Sequence, residues 1–163
     1  MDFRVEVDQG DLRKLVRALN READGKELRR DLVEGLKTAV EPFAQLARSS
    51  ILSMSSSGRY QVEPGLRESI ASQIAVEAKT GGRNAGVSVI ARKRGMPRGF
   101  RNAPKLTNRR TWRHRVFGMD VWVNQRGKPG WFDDTLKRAD PAAERAAKQA
   151  MDNVAKRIDE RTT

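Results

Sequence analysis

At 163 residues the chain has the length of one domain, enough to bury about 70% of its unfolded surface without staples, and carries a net charge of +12. The absence of cysteine excludes disulfides, thiolate zinc sites and thiol nucleophiles, and a single histidine excludes polyhistidine metal centres. No apolar leader core follows Met1 and no run approaches the roughly 18 apolar residues of a membrane span, so a soluble, cytosolic product with no membrane partner is expected.

Phe3, Val5 and Val7 alternate with polar residues, which predicts a short half-buried strand, and Asp8 to Asp11 supplies a turn and an N-cap. Leu12, Leu15, Val16 and Leu19 mark the apolar face of a short helix that Asn20 to Gly25 interrupts. Leu28, Leu32, Leu36, Val40, Phe43, Ala47 and Ile51 then recur at three- or four-residue steps, predicting a long amphipathic helix over Lys26 to Met54. Pro42 removes an N–H from its interior, so a kink is expected there, with the apolar face continuing in phase into Phe43 and Leu46.

Ser53 to Gly58 reads as a loop and Leu66 to Ile70 as one helical turn. Strands are predicted at Ser72 to Ala78 and Ala85 to Ile90, joined as a hairpin through Gly81-Gly82-Arg83-Asn84. That glycine-rich tip lacks the helix and lysine of a phosphate-binding loop.

The segment from Arg92 to Phe117 holds ten basic residues and no carboxylate, while the other 23 Lys and Arg nearly balance the 21 Asp and Glu. Gly95, Pro97, Gly99 and Pro104 break regular structure, so residues 92–115 are expected to form a long basic loop or arm inserted in a single domain spanning 1–163. A strand pair is predicted beyond it, Val116-Phe117 with Val121-Trp122-Val123, around a Gly118-Met119-Asp120 turn. After a turn at Gly127 to Gly130, Trp131-Phe132-Asp133 enters the last helical region. Asp140 is expected to cap a helix with Pro141 at its first position and Ala143, Ala146, Ala147, Ala150, Met151, Val154 and Ile158 as its narrow stripe. The fold class is α+β: a small, mostly antiparallel sheet packed with a long N-terminal helix and a C-terminal helix, carrying a long basic loop.

Nothing in this pattern assembles an active site. His114 has no identifiable nucleophile to serve, and the neighbouring carboxylates Asp133-Asp134 and Asp159-Glu160 point to different sides of a helix. No enzyme activity, cofactor or metal is expected. The candidate contact residues are Arg92, Lys93, Arg94, Arg98, Arg101, Lys105, Arg109, Arg110, Arg113 and Arg115. Their charge suits an acidic protein surface or nucleic acid, for which Phe100 and Trp112 offer stacking surfaces. Trp122, Trp131, Phe117 and Phe132 are read as interface or core aromatics. Trp122 and Trp131 are expected in the core, and Trp112 as an anchor between subunits.

The order Trp112-Arg113-His114-Arg115-Val116-Phe117-Gly118, then Val121-Trp122-Val123, then Gly130-Trp131-Phe132-Asp133 before a long Ala-rich helix resembles the neck and tail-completion proteins of long-tailed bacteriophages, especially those of actinobacteria. Arg115 stands where many members carry proline. The resemblance implies a virion structural protein at the head-to-tail interface, assembled in the host bacterial cytoplasm. It further implies a homo-oligomeric ring, with a hexamer the favoured stoichiometry, partnered by connector, neck or tail proteins and able to touch DNA nonspecifically. The alternative is a nucleic-acid-binding protein that uses residues 92–115.

Overall fold

Twenty-eight residues, Gly25–Leu52, form one helix, α2, which packs against α1, α3, α5 and two strands of the larger sheet. The computed structural model describes residues 1–54, 65–82, 84–115 and 120–162, with backbone alone for 161 and 162. The elements run β1 (Asp2–Val5), α1 (Gln9–Leu19), α2, α3 (Leu66–Ser72), β2 (Ile74–Lys79), β3 (Gly86–Ala91), α4 (Ala103–Leu106), β4 (Thr111–Arg115), β5 (Trp122–Arg126) and α5 (Asp133–Thr162). The protein is α+β, with two small antiparallel sheets.

Leu28, Leu32, Leu36, Val40, Ala44, Ala47 and Ile51 are all buried along α2, because steps of three and four residues keep them on one stripe. Leu46 departs from expectation. It is 46% exposed, since it lies about 200° around the helix from Ala44, which occupies the inward position instead. Pro42 leaves α2 as a single helix. Both Pro42 and Thr38, whose carbonyl loses its partner, face solvent, so water replaces the missing hydrogen bond.

The three-stranded sheet has the order β1-β3-β2, antiparallel throughout. Its register places Phe3, Val5, Val87, Val89, Ala91, Ile74 and Val76 on one face, which packs on α2, and Asp2, Arg4, Ser88, Glu77 and Lys79 on the other. Arg48 ties helix to sheet. Its guanidinium donates to the Ile74 carbonyl at 2.7 Å and pairs with Glu41 on the preceding turns. Asp8 caps α1 by accepting from the Asp11 N–H at 2.9 Å, as the sequence predicts.

α5 makes the most extensive helix contact with α2. Small residues permit it: a Cβ placed on Gly35 would lie 3.9 Å from the Ala150 Cβ, and Ala143, Ala147, Met151 and Val154 are buried beside it. The helix does not begin at Pro141. It starts eight residues earlier, at Asp133, and runs through the proline. Buried Trp131, Phe132 and Leu136 anchor the earlier turns, while Pro141 and the Lys137 backbone it would have bonded lie on the solvent side. Asp140 is therefore no cap. One of its carboxylate oxygens is buried without a hydrogen-bond partner.

Candidate functional site

The basic segment folds. Proline near the start of α4 is tolerated because a first-turn N–H has no helical partner, and the buried Thr107 hydroxyl closes that turn onto the carbonyls of Ala103 and Pro104 at 2.9 and 3.0 Å. β4 then begins at Thr111, inside the stretch expected to be a loop. Its partner β5 pairs with it antiparallel, Thr111 opposite Arg126, Arg113 opposite Asn124 and Arg115 opposite Trp122. Trp122 and Val123 of the predicted second strand lie in β5; the predicted first strand, Val116-Phe117, and Gly118 and Met119 of its turn lie outside the described residues.

Strand alternation divides the hairpin into two faces. Trp112, His114, Val123 and Gln125 point inward, where Trp112 is 6% exposed. The His114 ring sits 5.1 Å from Trp112 and 5.2 Å from Phe100 between ring centroids, forming a small aromatic cluster. Thr111, Arg113, Arg115, Trp122, Asn124 and Arg126 point outward and are all exposed.

The base of the hairpin is fixed by backbone contacts. Gly127 donates to the Arg110 carbonyl at 3.1 Å and Lys128 to the Thr107 carbonyl at 2.9 Å. A Cβ on Gly127 would come within 2.2 Å of the Arg109 carbonyl oxygen, so only glycine fits there. Asn108 links this base to α5, accepting from the Gly130 N–H at 2.7 Å and donating to Asp133 at 3.3 Å. Asp133, considered as a metal-binding carboxylate, is thereby occupied in positioning the helix start.

Two tryptophans exchange the places expected for them. Trp122, predicted in the core, is 55% exposed; Trp112, predicted as a subunit anchor, is buried within its own chain. The reason is parity: β4 and β5 pair so that Trp122 shares the outer face with Arg113 and Arg115. Trp131 and Phe132 are fully buried at 0% and meet edge to face, 5.4 Å between centroids.

All ten predicted contact residues are exposed. Arg92 pairs with Glu77 at 3.1 Å and Arg115 with Asp120 at 2.9 Å; none of the other eight forms an ion pair with a described residue. The structure gathers Arg109, Arg110, Arg113 and Arg115 on and beside the hairpin. Lys93, Arg94, Arg98 and Arg101 lie on the turns that precede α4, and Lys105 lies within it. Arg126 and Lys128 join the hairpin group although they fall outside the basic segment. The sequence reading missed Arg126, which continuing the alternation of Trp122 and Asn124 by two residues would have found.

An open cavity of about 290 Å³, lined by Ser53, Met54, Arg126, Gly127 and Lys128, lies at the hairpin base. Among the described residues no three His, Asp or Glu side chains converge as metal ligands, and no helix is long and apolar enough to cross a membrane. Comparison with protein-family models, with curated proteins and with solved structures returned no match.

Proposed function

We propose that this chain is a non-enzymatic virion structural protein that joins or completes the head-to-tail interface of a long-tailed bacteriophage, working as a subunit of a homo-oligomeric ring. One observation supports the reading. The described residues among those that resemble the neck and tail-completion pattern, Trp112 to Arg115, Val121 to Val123 and Gly130 to Asp133, do not scatter over the fold; they belong to the β4–β5 hairpin and the start of α5, which Asn108 links. That unit presents an exposed arginine-rich face with one exposed tryptophan. A joining protein needs such a displayed face and no reaction centre.

The architecture supports the same reading: a long helix near the N-terminus, a hairpin sheet and a small-residue C-terminal helix is the arrangement that the resemblance implies. In a ring each copy meets two neighbours, so part of each copy's apolar surface is completed by others. Leu46, Leu52 and Val121, each close to half exposed, are available for such contacts.

Electron microscopy of lysates from the source phage carrying a nonsense codon in this gene tests the proposal. Filled heads beside separate tails are expected. Tails of abnormal length would move the role from joining to tail termination, and infectious particles at normal yield would refute the virion role.

A further inference from the structure

The outer face of the β4–β5 hairpin is a cationic ribbon. Arg113, Arg115 and Arg126 lie on it with Trp122 and Asn124, while Arg109, Arg110 and Lys128 flank its base. The Arg113 guanidinium carbon is 5.6 Å from the centre of the Trp122 ring, a cation–π distance that holds both side chains up on the surface. Of the nearby carboxylates, Asp120 is paired with Arg115 and Asp133 accepts from Asn108 at the base.

We infer that this ribbon contacts duplex DNA through the sugar–phosphate backbone, with Arg110, Arg113, Arg126 and Lys128 on phosphates. The inference goes beyond the ring proposal and holds whether the chain acts in a ring or alone. Composition decides between the two classes of polyanionic partner. The centres of protein–protein interfaces are depleted of charge and roughly 65% apolar, whereas nucleic-acid interfaces are polar and strongly positive. Here one tryptophan stands among cations. Shape agrees, because the major groove of duplex DNA admits a two-stranded β-ribbon. A lone aromatic whose ring is partly covered by Arg113 is a poor platform for single strands, which rely on several stacked bases.

The test is fluorescence anisotropy of a labelled duplex of about 30 base pairs, titrated with the full chain between about 50 and 200 mM salt. Four neutralised phosphates give a log–log salt slope of about −3.6, and Arg113→Gln with Arg126→Gln should reduce its magnitude by about two while weakening binding tenfold or more at low salt. Arg145→Gln with Lys156→Gln removes the same charge from exposed positions of α5 beyond Pro141 and should change affinity less than about twofold. Unchanged thermal unfolding of both variants keeps the comparison one of contact.

Equal weakening by the two pairs would overturn the inference in favour of diffuse charge. So would absence of duplex binding at low salt, tighter binding to a single strand of the same length, or equal competition by polyglutamate, which would assign the face to acidic protein. A wild-type chain that assembles into rings yet ignores DNA would refute this inference alone and leave the structural role standing.

Discussion

The helical body and the β4–β5 hairpin differ in what their residues spend themselves on. Around α2, α5 and the three-stranded sheet, most large apolar side chains are buried, and Arg4 and Arg48 donate to backbone carbonyls. The hairpin buries one face through Trp112 and His114 and leaves the other to solvent with three arginines and a tryptophan. Two strands alone are marginal in water, so the hairpin depends on its aromatic cluster and on the Asn108 and Gly127 contacts at its base. On the proposed reading, the body carries stability and the hairpin carries recognition.

The comparison breaks most visibly in the core. Trp131→Ala should cost about 3 to 5 kcal/mol and Leu32→Ala about 2 to 5, read by denaturant unfolding, because each empties a fully buried site. Gly127→Ala comes next. Its Cβ would collide with the carbonyl oxygens of Arg109 and Thr107, so amide exchange should accelerate through residues 107–128 while far-UV circular dichroism from α2 and α5 persists. Should the helices melt as well, the two regions would be one cooperative unit.

Smaller still is the expected effect on stability of replacing Arg109, Arg110, Arg113 and Arg115 together by Gln. Exposed positions of this kind cost within about 0.5 kcal/mol each, while assembly should fail.

The least effect concerns pH. Burial, reinforced by Glu6 and Glu144, raises the Asp140 pKa above its ordinary 3.8. A raised carboxyl pKa means that the folded state binds the proton more tightly, so this contribution to stability is complete below 3.8 and is lost as pH rises through the folded-state value. Asp140→Asn should therefore flatten the decline across that window and leave the protein slightly more stable at neutral pH. Asp8 behaves oppositely: backbone hydrogen bonds from Asp11 and Gly10 lower its pKa, so its capping contribution is present above 3.8 and disappears as pH falls through the lowered value. Thermal unfolding of Asp140→Asn and Asp8→Ala against pH checks both signs.

Much of the body was legible because its signals are periodic. Seven apolar residues at helical spacing located α2 to within two residues at either end, alternation placed β1, and the glycine-rich tip between β2 and β3 placed those two strands. The prolines misled at Pro141, since nothing local reveals that its missing hydrogen bond falls on the solvent side. The hairpin was harder to read. Thr111 to Arg115 contains two arginines in five residues, and only pairing with β5 makes it a strand. Which tryptophan is buried depends on that register, a non-local fact, so Trp112 and Trp122 could not be assigned correctly from their neighbours in sequence. The ten exposed cations were identified individually; their division into a hairpin group and a group on the turns around α4 came from the fold.

Complementation tests the division of labour most directly. A phage with a nonsense codon in this gene is supplied with the chain in which Arg109, Arg110, Arg113 and Arg115 are Gln, after its unfolding has been compared with that of the natural chain. The account predicts a protein of unchanged stability and lysates of filled heads and unjoined tails. Infectious particles at the natural yield would contradict it, because the hairpin face would then have no part in joining.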